Sequence, residues 1–184
     1  YINYMELGES WGPATWYILH SISFSWDERF INDYRRFFNL IAQTIPCQTC
    51  KNHFSRSINR QNWLIRNNVT SKESMTKWLI DIHNDVNRRN KKKIISYDRA
   101  RNIYLNKEGN VKYRRQQYYT FMREYIFYNF KFQFLKSLEI LKLLAKIFPH
   151  INKRRRLMRF VKNRPNIKRF GLIKWLKRYK NILA

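Results

Sequence analysis

Glycine and proline are scarce in this chain, with only four residues of each among 184. Both residue types mark the turns on which folds built from many short strands depend. Their scarcity argues against a turn-rich β fold and predicts an all-α protein. Hydrophobic residues make up 44% of the sequence, which is enough to bury a core without the support of disulfides.

Apolar residues recur every three to four positions in several stretches, which is the spacing of an amphipathic helix. The spacing predicts helices at 10–25, 28–44, 47–58, 72–90 and, as a short fifth helix, 96–104. Ser10, Ser71 and Ser96 are the predicted N-caps of the first, fourth and fifth helices. Beyond them we predict one long helix or two at 113–148, followed by helices at 152–162 and 167–183.

Positive charge is concentrated in the C-terminal part of the chain. Residues 1–112 carry 18 Lys and Arg against 10 Asp and Glu, a net charge of +8. Residues 113–184 carry 20 against 2, a net charge of +18. The asymmetry predicts two regions with different partners, and we place a first domain at 1–106 and a basic, aromatic helical domain at 107–184. A field this positive attracts phosphate groups, acidic proteins or anionic lipids.

Cys47 and Cys50 are the only cysteines, and two residues separate them. A pair at this spacing can close a small disulfide that an attacking thiolate opens. Cys47 is predicted to start a helix, where free N–H groups and the helix dipole stabilise a thiolate, so the pattern favours a redox pair. Two alternatives stay open at this point. One is a zinc site in which His53 joins the pair and His20 or His83 completes it, and the other is two inert buried thiols.

Three separated motifs favour the redox interpretation. They are Trp11-Gly12-Pro13-Ala14-Thr15-Trp16-Tyr17-Ile18-Leu19-His20, then Pro46-Cys47-x-x-Cys50, then Trp78 with His83-Asn84-Asp85-Val86-Asn87. In this order and spacing they are far more specific than a lone cysteine pair. The chain resembles the Erv/ALR family of FAD-linked sulfhydryl oxidases over about residues 8–104. Its stretch at 92–104 is most similar to the branch encoded by large cytoplasmic DNA viruses.

The resemblance implies a four-helix bundle with a short fifth helix that binds FAD, and it implies a homodimer. Cys47 and Cys50 would be catalytic, with Cys47 forming the mixed disulfide and Cys50 on the flavin side. The implied reaction oxidises dithiols in client proteins or in a thioredoxin-like carrier and passes the electrons to oxygen, which gives hydrogen peroxide. The chain has no second, shuttle cysteine pair. Clients therefore reach Cys47 directly, or a separate carrier does the shuttling, or the missing cysteines lie outside this sequence.

The resemblance also implies which residues contact the cofactor. Aromatic planes can stack on its flat rings, and a lysine can neutralise its diphosphate. Lys92 matches a lysine placed near the phosphates, and Tyr104 stands where many relatives carry a tryptophan against the adenine. The full implied set is Gly8, Trp11, Gly12, Trp16, His20, His53, His83, Asn84, Val86, Asn87, Lys92 and Tyr104, with no metal ligand.

The basic C-terminal region resembles no family that we identify. Its long helix carries an apolar stripe, which we interpret as core that packs on the bundle or on a partner subunit. The stripe consists of Tyr118, Met122, Tyr125, Ile126, Phe130 and Phe134. The excess charge fits nucleic acid, an anionic membrane surface, or an acidic client or carrier protein. The last is favoured because it would serve the enzyme directly.

The beginning of the chain shows no signal peptide, and no apolar stretch is long enough to span a bilayer. The chain starts with Tyr1 rather than Met, so we expect it to be a fragment. The resemblance to viral enzymes implies the host cytoplasm or the virion, although disulfide formation is unusual in the cytoplasm. The alternative function is a zinc-holding helical protein that binds nucleic acid or a protein partner.

Overall fold

A computed structural model of the chain describes residues 11–61, 69–162 and 169–183, and all regular structure within these ranges is helical. The predicted all-α fold is confirmed. The helices are α1 (Trp11–Phe24), α2 (Ile31–Thr44), α3 (Gln48–Gln61), α4 (Lys72–Arg89), α5 (Tyr97–Gly109), α6 (Val111–Thr120), α7 (Phe127–Phe132), α8 (Phe134–Ile147), α9 (Ile151–Lys162) and α10 (Arg169–Leu183). A 3₁₀ turn at Glu28–Phe30 precedes α2, and a π-helical segment at Phe121–Ile126 joins α6 to α7.

Two of the three predicted helix starts are confirmed by their hydrogen bonds. The Ser71 hydroxyl accepts a bond from the Ser74 N–H at 3.1 Å, and the Ser74 hydroxyl accepts one from the Ser71 N–H at 3.1 Å. This reciprocal pair is a capping box, and it satisfies two N–H groups that the helix leaves unpaired. The Ser96 hydroxyl likewise accepts a bond from the Arg99 N–H at the start of α5. Ser10 lies outside the described residues.

The fifth helix is longer than predicted. It runs for 13 residues to Gly109, and α6 follows after the single residue Asn110, whose side chain accepts a bond from the Tyr113 N–H. The residues after Tyr104 are compatible with a helix, and glycine is a usual helix end, so α5 gains a further turn. The predicted division between 1–106 and 107–184 therefore falls within α5. The division at residue 106 stays a prediction.

The predicted long helix at 113–148 is two helical rods. The first comprises α6, the π-helical segment and α7, and the second is α8. They meet at Gln133, whose backbone (φ −140°, ψ 52°) leaves the helical region. The second rod ends before Pro149, as predicted. Among the helices of the described ranges, none is both long and apolar enough to cross a membrane.

One hydrophobic core joins the N-terminal and C-terminal helices. The second rod packs along α2, and the first rod packs along α1. The Tyr125 hydroxyl donates a hydrogen bond to the Ile41 carbonyl at 3.2 Å and lies 2.6 Å from the Thr44 hydroxyl. Burial raises the pKa of Tyr125, so its hydroxyl keeps its proton. The predicted stripe is confirmed as core at Tyr118, Met122, Tyr125 and Ile126, while Phe134 is half-buried and the Phe130 side chain lies outside the described set.

Candidate active site

The two cysteines form a disulfide at the start of α3, with their Cα atoms 5.2 Å apart. Cys47 is the N-cap, because its carbonyl accepts a hydrogen bond from the Lys51 N–H at 2.8 Å. Its sulfur also accepts a bond from the Cys50 N–H at 3.2 Å. N–H groups and the positive end of a helix dipole favour negative charge at this position. The local structure can therefore stabilise a thiolate on Cys47 once the disulfide opens.

A cavity of about 1070 Å³ lies against the disulfide, among α1, α3, α4 and α5. Small-molecule pockets span roughly 300–1,000 Å³, so this cavity has room for a large organic ligand. Cys50 is one of its lining residues, whereas Cys47 is half-buried and is not among the described residues that line it. Cys50 is therefore the cysteine beside the cavity, and its side chain is exposed.

Flat rings from three helices form one side of the cavity. The Trp16 and His83 rings are stacked, with centroids 4.0 Å apart and planes within 2° of each other. Tyr104 of α5 stacks on His20 at 4.1 Å. We call Trp16, His83 and Tyr104, which all line the cavity, the aromatic wall. Such planes can stack on a flat heterocyclic ligand.

His83 of the aromatic wall and His20 behind it are both neutral at pH 7. His20 Nε2 lies 3.0 Å from His83 Nδ1, so one imidazole donates a hydrogen bond to the other. Burial, and second the His83 charge, hold the pKa of His20 well below its usual value. Burial and the charge of Lys92 lower the pKa of His83 to about 4. The second ring nitrogen of His20, Nδ1, is buried without a hydrogen-bond partner, a state that costs free energy.

The cavity is lined by cations and, among the described residues, by no acidic side chain. The four cations are Arg89, Lys92, Lys93 and Lys107. An aromatic wall combined with unopposed positive charge fits a ligand that carries both a flat ring and phosphate groups.

The turn between α4 and α5 places the lysines beside the cavity. Lys91 has a left-handed backbone (φ 53°), and the Lys92 N–H donates a bond to the Asn87 carbonyl at 2.8 Å. This is the bond of a Schellman motif, which reverses the chain at a helix end. The Asn84 side-chain amide then holds the segment that leaves the turn. Its NH₂ group donates a hydrogen bond to the Ile95 carbonyl at 2.8 Å, and its oxygen accepts one from the Ile95 N–H at 3.0 Å.

Most of the predicted site residues meet at this one cavity. Those that line it are Trp11, Gly12, Trp16, Cys50, His53, His83, Val86, Asn87, Lys92 and Tyr104. His20 and Asn84 are not among the described lining residues: His20 is buried behind Tyr104, and Asn84 holds the turn. Gly8 lies outside the described residues. The roles of all these residues as cofactor contacts stay predictions.

The structure adds lining residues that the sequence analysis missed, notably Lys107 and Tyr113. Lys107 Nζ lies 5.1 Å from the centre of the Tyr113 ring and 6.0 Å from that of Tyr104. The sequence did contain a signal for Lys107. It follows Tyr104 by three residues, a spacing that places both side chains on one face if the helix continues past Tyr104. Further missed lining residues include Thr15, Thr49, Phe54, Arg89 and Lys93.

The zinc alternative finds no support in this geometry. Its two proposed sulfur ligands are bonded to each other. Within residues 11–61, 69–162 and 169–183, no group of three or more His, Cys, Asp or Glu is arranged to hold a metal ion.

Comparison with protein families agrees with the geometry. The model of the Erv1/Alr family matches residues 13–106, which is half of the chain. The chain belongs to the Erv1/Alr family. The match ends at residue 106, so α6 to α10 lie beyond it.

Individual relatives of this Erv1/Alr chain are named as oxidases. The FAD-linked sulfhydryl oxidase of African swine fever virus is 37% identical over 100 residues, which cover 51% of this chain and 79% of the relative. A probable FAD-linked sulfhydryl oxidase of Acanthamoeba polyphaga mimivirus is 30% identical over 96 residues, which cover 50% of this chain and 66% of the relative. An Arabidopsis thaliana FAD-linked sulfhydryl oxidase is 29% identical over 87 residues, which cover 44% of this chain and 42% of the relative. This chain therefore spans about two thirds of the mimivirus relative and less of the plant one. No solved structure matches it.

These comparisons confirm three predictions: the family, the FAD-linked thiol oxidase class, and the similarity to viral members. The cofactor prediction, FAD, agrees with the relatives' names.

Proposed function

We propose that this chain is an FAD-linked sulfhydryl oxidase that forms disulfides in protein dithiols through Cys47 and Cys50. One observation carries the proposal: Cys50 of a surface disulfide lines the same cavity as the aromatic wall and four cations. A disulfide therefore adjoins a ligand site of this chemistry, which supports the proposal. The family match supports the same conclusion.

The residues of the cavity fit FAD. The aromatic wall offers planes for its rings, and Lys92 and Lys107 offer charge for its diphosphate. When bound, FAD supplies the acceptor for two electrons, and dioxygen takes these up to give hydrogen peroxide.

The two cysteines divide the thiol chemistry. A client thiolate attacks the Cys47 sulfur, the Cys47–Cys50 bond breaks, and Cys50 leaves as a thiolate that lines the cavity. The client's second thiolate then attacks the client sulfur of the mixed disulfide, and Cys47 leaves as a thiolate. The client departs with a new disulfide, and the enzyme's pair has gained two electrons. The N–H of Cys50 and the helix dipole favour the thiolate on Cys47.

The proposal extends to partners and place of action. The clients are protein dithiols or a thioredoxin-like carrier, and the enzyme acts as a homodimer in the host cytoplasm or the virion. The similarity to viral oxidases supports the location. The surface position of the disulfide supports direct access by a client, since Cys47 is half-buried and Cys50 is exposed.

The visible spectrum of the purified protein tests the proposal. We expect a flavin spectrum that bleaches when a dithiol is added under nitrogen and returns when air is admitted, with release of hydrogen peroxide. A double variant, Cys47→Ser with Cys50→Ser, is the control. It should keep the flavin colour, and the dithiol should bleach it much more slowly than it bleaches the unsubstituted protein. A colourless protein, or a flavin that the dithiol reduces equally fast in the double variant, would contradict the proposal.

Lys107→Ala is expected to weaken FAD binding about five- to tenfold, which corresponds to about 1–1.4 kcal/mol and lies within the usual net contribution of one hydrogen bond. Lys107 lines the cavity although it lies beyond the family match. The measurement is the dissociation constant of FAD from the apoprotein, followed by flavin fluorescence at two salt concentrations. The difference should shrink at high salt because ions screen the attraction. Lys112→Ala, at an exposed position in the next helix, is the matched control, and an equal loss in it would contradict the assignment.

A further inference from the structure

The C-terminal helices carry a large excess of positive charge. Residues 140–184 contain 15 Lys and Arg and no Asp or Glu. The two acids of the preceding helices are already paired, Glu124 with Arg123 at 2.6 Å and Glu139 with Arg36 at 2.7 Å. Arg154 of α9 pairs with Asp27 at 3.9 Å, whereas α9 and α10 themselves contain no acidic residue. Most of the charge of these two helices is therefore available to a partner.

Helix α9 buries one apolar face and exposes the other, which carries most of its cations together with Ile151 and Met158. Leu157 and Val161, one turn apart, are buried in the core. Arg154 is engaged within the fold, because it donates a bond to the Phe148 carbonyl and its guanidinium lies 5.3 Å from the Phe30 ring centre. The exposed cations of the helix are Arg155, Arg156, Arg159 and Lys162.

Helix α10 repeats this arrangement beside α9. Trp175 and Tyr179 are buried, and Trp175 stacks on Phe160 of α9 with centroids 5.0 Å apart. This contact holds the two helices together with their aromatic rings inward. The exposed cations of α10 are Lys174, Lys177 and Arg178.

We propose that α9 and α10 form a binding site for the phosphate backbone of nucleic acid. Its contacts are the seven exposed cations Arg155, Arg156, Arg159, Lys162, Lys174, Lys177 and Arg178, which we call the basic surface. Guanidinium groups match phosphate oxygens with two parallel hydrogen bonds, and four of the seven cations are arginines. A uniformly charged polymer can engage a surface of one sign without an opposite charge at a defined position.

The burial pattern favours nucleic acid over the other two partners. A helix that lies on a membrane inserts an apolar face, and protein interfaces usually centre on an exposed aromatic or apolar anchor. On α9 and α10 the rings of Phe160, Trp175 and Tyr179 pack against each other. Among the described apolar side chains of the two helices, only Ile151 and Met158 are exposed.

The same packing predicts how the nucleic acid is bound. Because these aromatic rings face inward, they cannot stack on bases as the rings of single-strand binding proteins do. Contacts to phosphate carry no sequence information. Binding through the basic surface is therefore independent of base sequence.

Fluorescence anisotropy of the full chain with a labelled 20-base-pair DNA duplex of random sequence tests the site. Each phosphate contact contributes a slope of about −0.9 to the logarithm of the association constant against that of the salt concentration. Seven contacts predict a slope of about −6. A second duplex of unrelated sequence should bind equally well.

Two variants with the same loss of charge locate the site. The test variant carries Arg155→Gln, Arg156→Gln, Arg159→Gln and Lys162→Gln. The control carries Arg35→Gln, Arg56→Gln, Arg99→Gln and Arg101→Gln, which are exposed positions on other helices. The test variant should bind DNA about 100-fold more weakly at 150 mM salt, with a slope smaller by about 3.6, while the control changes less than about threefold. Thermal unfolding of both variants should match that of the unsubstituted chain.

Several outcomes would overturn this inference. Equal weakening in both variants would show attraction by net charge alone. Tighter binding to poly-L-glutamate than to DNA would assign the surface to acidic proteins. Binding to vesicles of phosphatidylserine and phosphatidylcholine without binding to DNA would assign it to membranes. None of these readouts involves flavin, so a failure of the proposed oxidase function is seen separately in the visible spectrum.

Discussion

Replacing Cys50 by serine is expected to reduce thiol oxidase turnover by at least about a thousandfold, as removal of a reacting nucleophile usually does. Among the described residues, Cys50 contributes the only sulfur that lines the cavity, so its loss separates the thiol chemistry from the cofactor site. The measurement is oxygen consumption with a small dithiol and with a reduced protein, at matched flavin content. Full turnover in Cys50→Ser would show that the roles of the two cysteines are wrongly assigned.

Two further variants make this result specific. Cys47→Ser should also lose turnover with a protein dithiol, because the sulfur that forms the mixed disulfide is gone. When the two cysteine variants are incubated with the linear disulfide of a monothiol, Cys50→Ser should accumulate an adduct on Cys47, detected by intact mass, as the monothiol leaves. Cys47→Ser should accumulate less, because the Cys50 N–H and the helix N-terminus stabilise the reactive thiolate on Cys47. Gln48→Ala, exposed and between the two cysteines, is the control that should keep normal turnover.

Replacing Leu144 by alanine is expected to lower the free energy of unfolding by about 2–5 kcal/mol, the cost of a large-to-small change in a core. Leu144 is fully buried, with 0% of its surface exposed, in the helix that packs on both α2 and α9. Urea unfolding followed by circular dichroism gives the value. Leu135→Ala is the matched control in the same helix, since Leu135 is 72% exposed and should cost less than about 0.5 kcal/mol.

The way in which the Leu144 variant unfolds bears on the predicted domains at 1–106 and 107–184. The core is continuous across this division, since Tyr125 bonds to Ile41 and Thr44 of α2. We therefore expect one transition, in which flavin release and the loss of helical signal shift together. Two transitions, of which the substitution shifts only the second, would contradict a shared core and favour independent domains.

The helical class and most helix boundaries followed from local signals in the sequence. Ser71 and Ser96 act on N–H groups only a few residues away, and Pro149 acts on its own backbone, so neither effect depends on distant parts of the chain. The cysteine pair and the motif at 83–87 were identified for a similar reason. Their spacing is a property of one or two helical turns, and their chemistry is that of the side chains themselves.

The composition of the cavity depended on which helices meet. Lys107 reaches it because α5 gains a turn, and Tyr113 reaches it because α6 folds back along α1. His20 lies behind Tyr104 rather than in the lining of the cavity, and Asn84 bonds to the Ile95 backbone instead of lining it. These outcomes depend on packing between residues far apart in sequence, which no local pattern encodes.

The same distinction applies to the basic region. Its charge could be counted from the sequence, and its apolar stripe could be recognised by helical spacing. Only the tertiary structure showed that Phe160, Trp175 and Tyr179 pack inward and leave the cations outside. Residue type and period are local quantities, whereas the face that a helix buries is set by the surfaces that neighbouring helices offer to it.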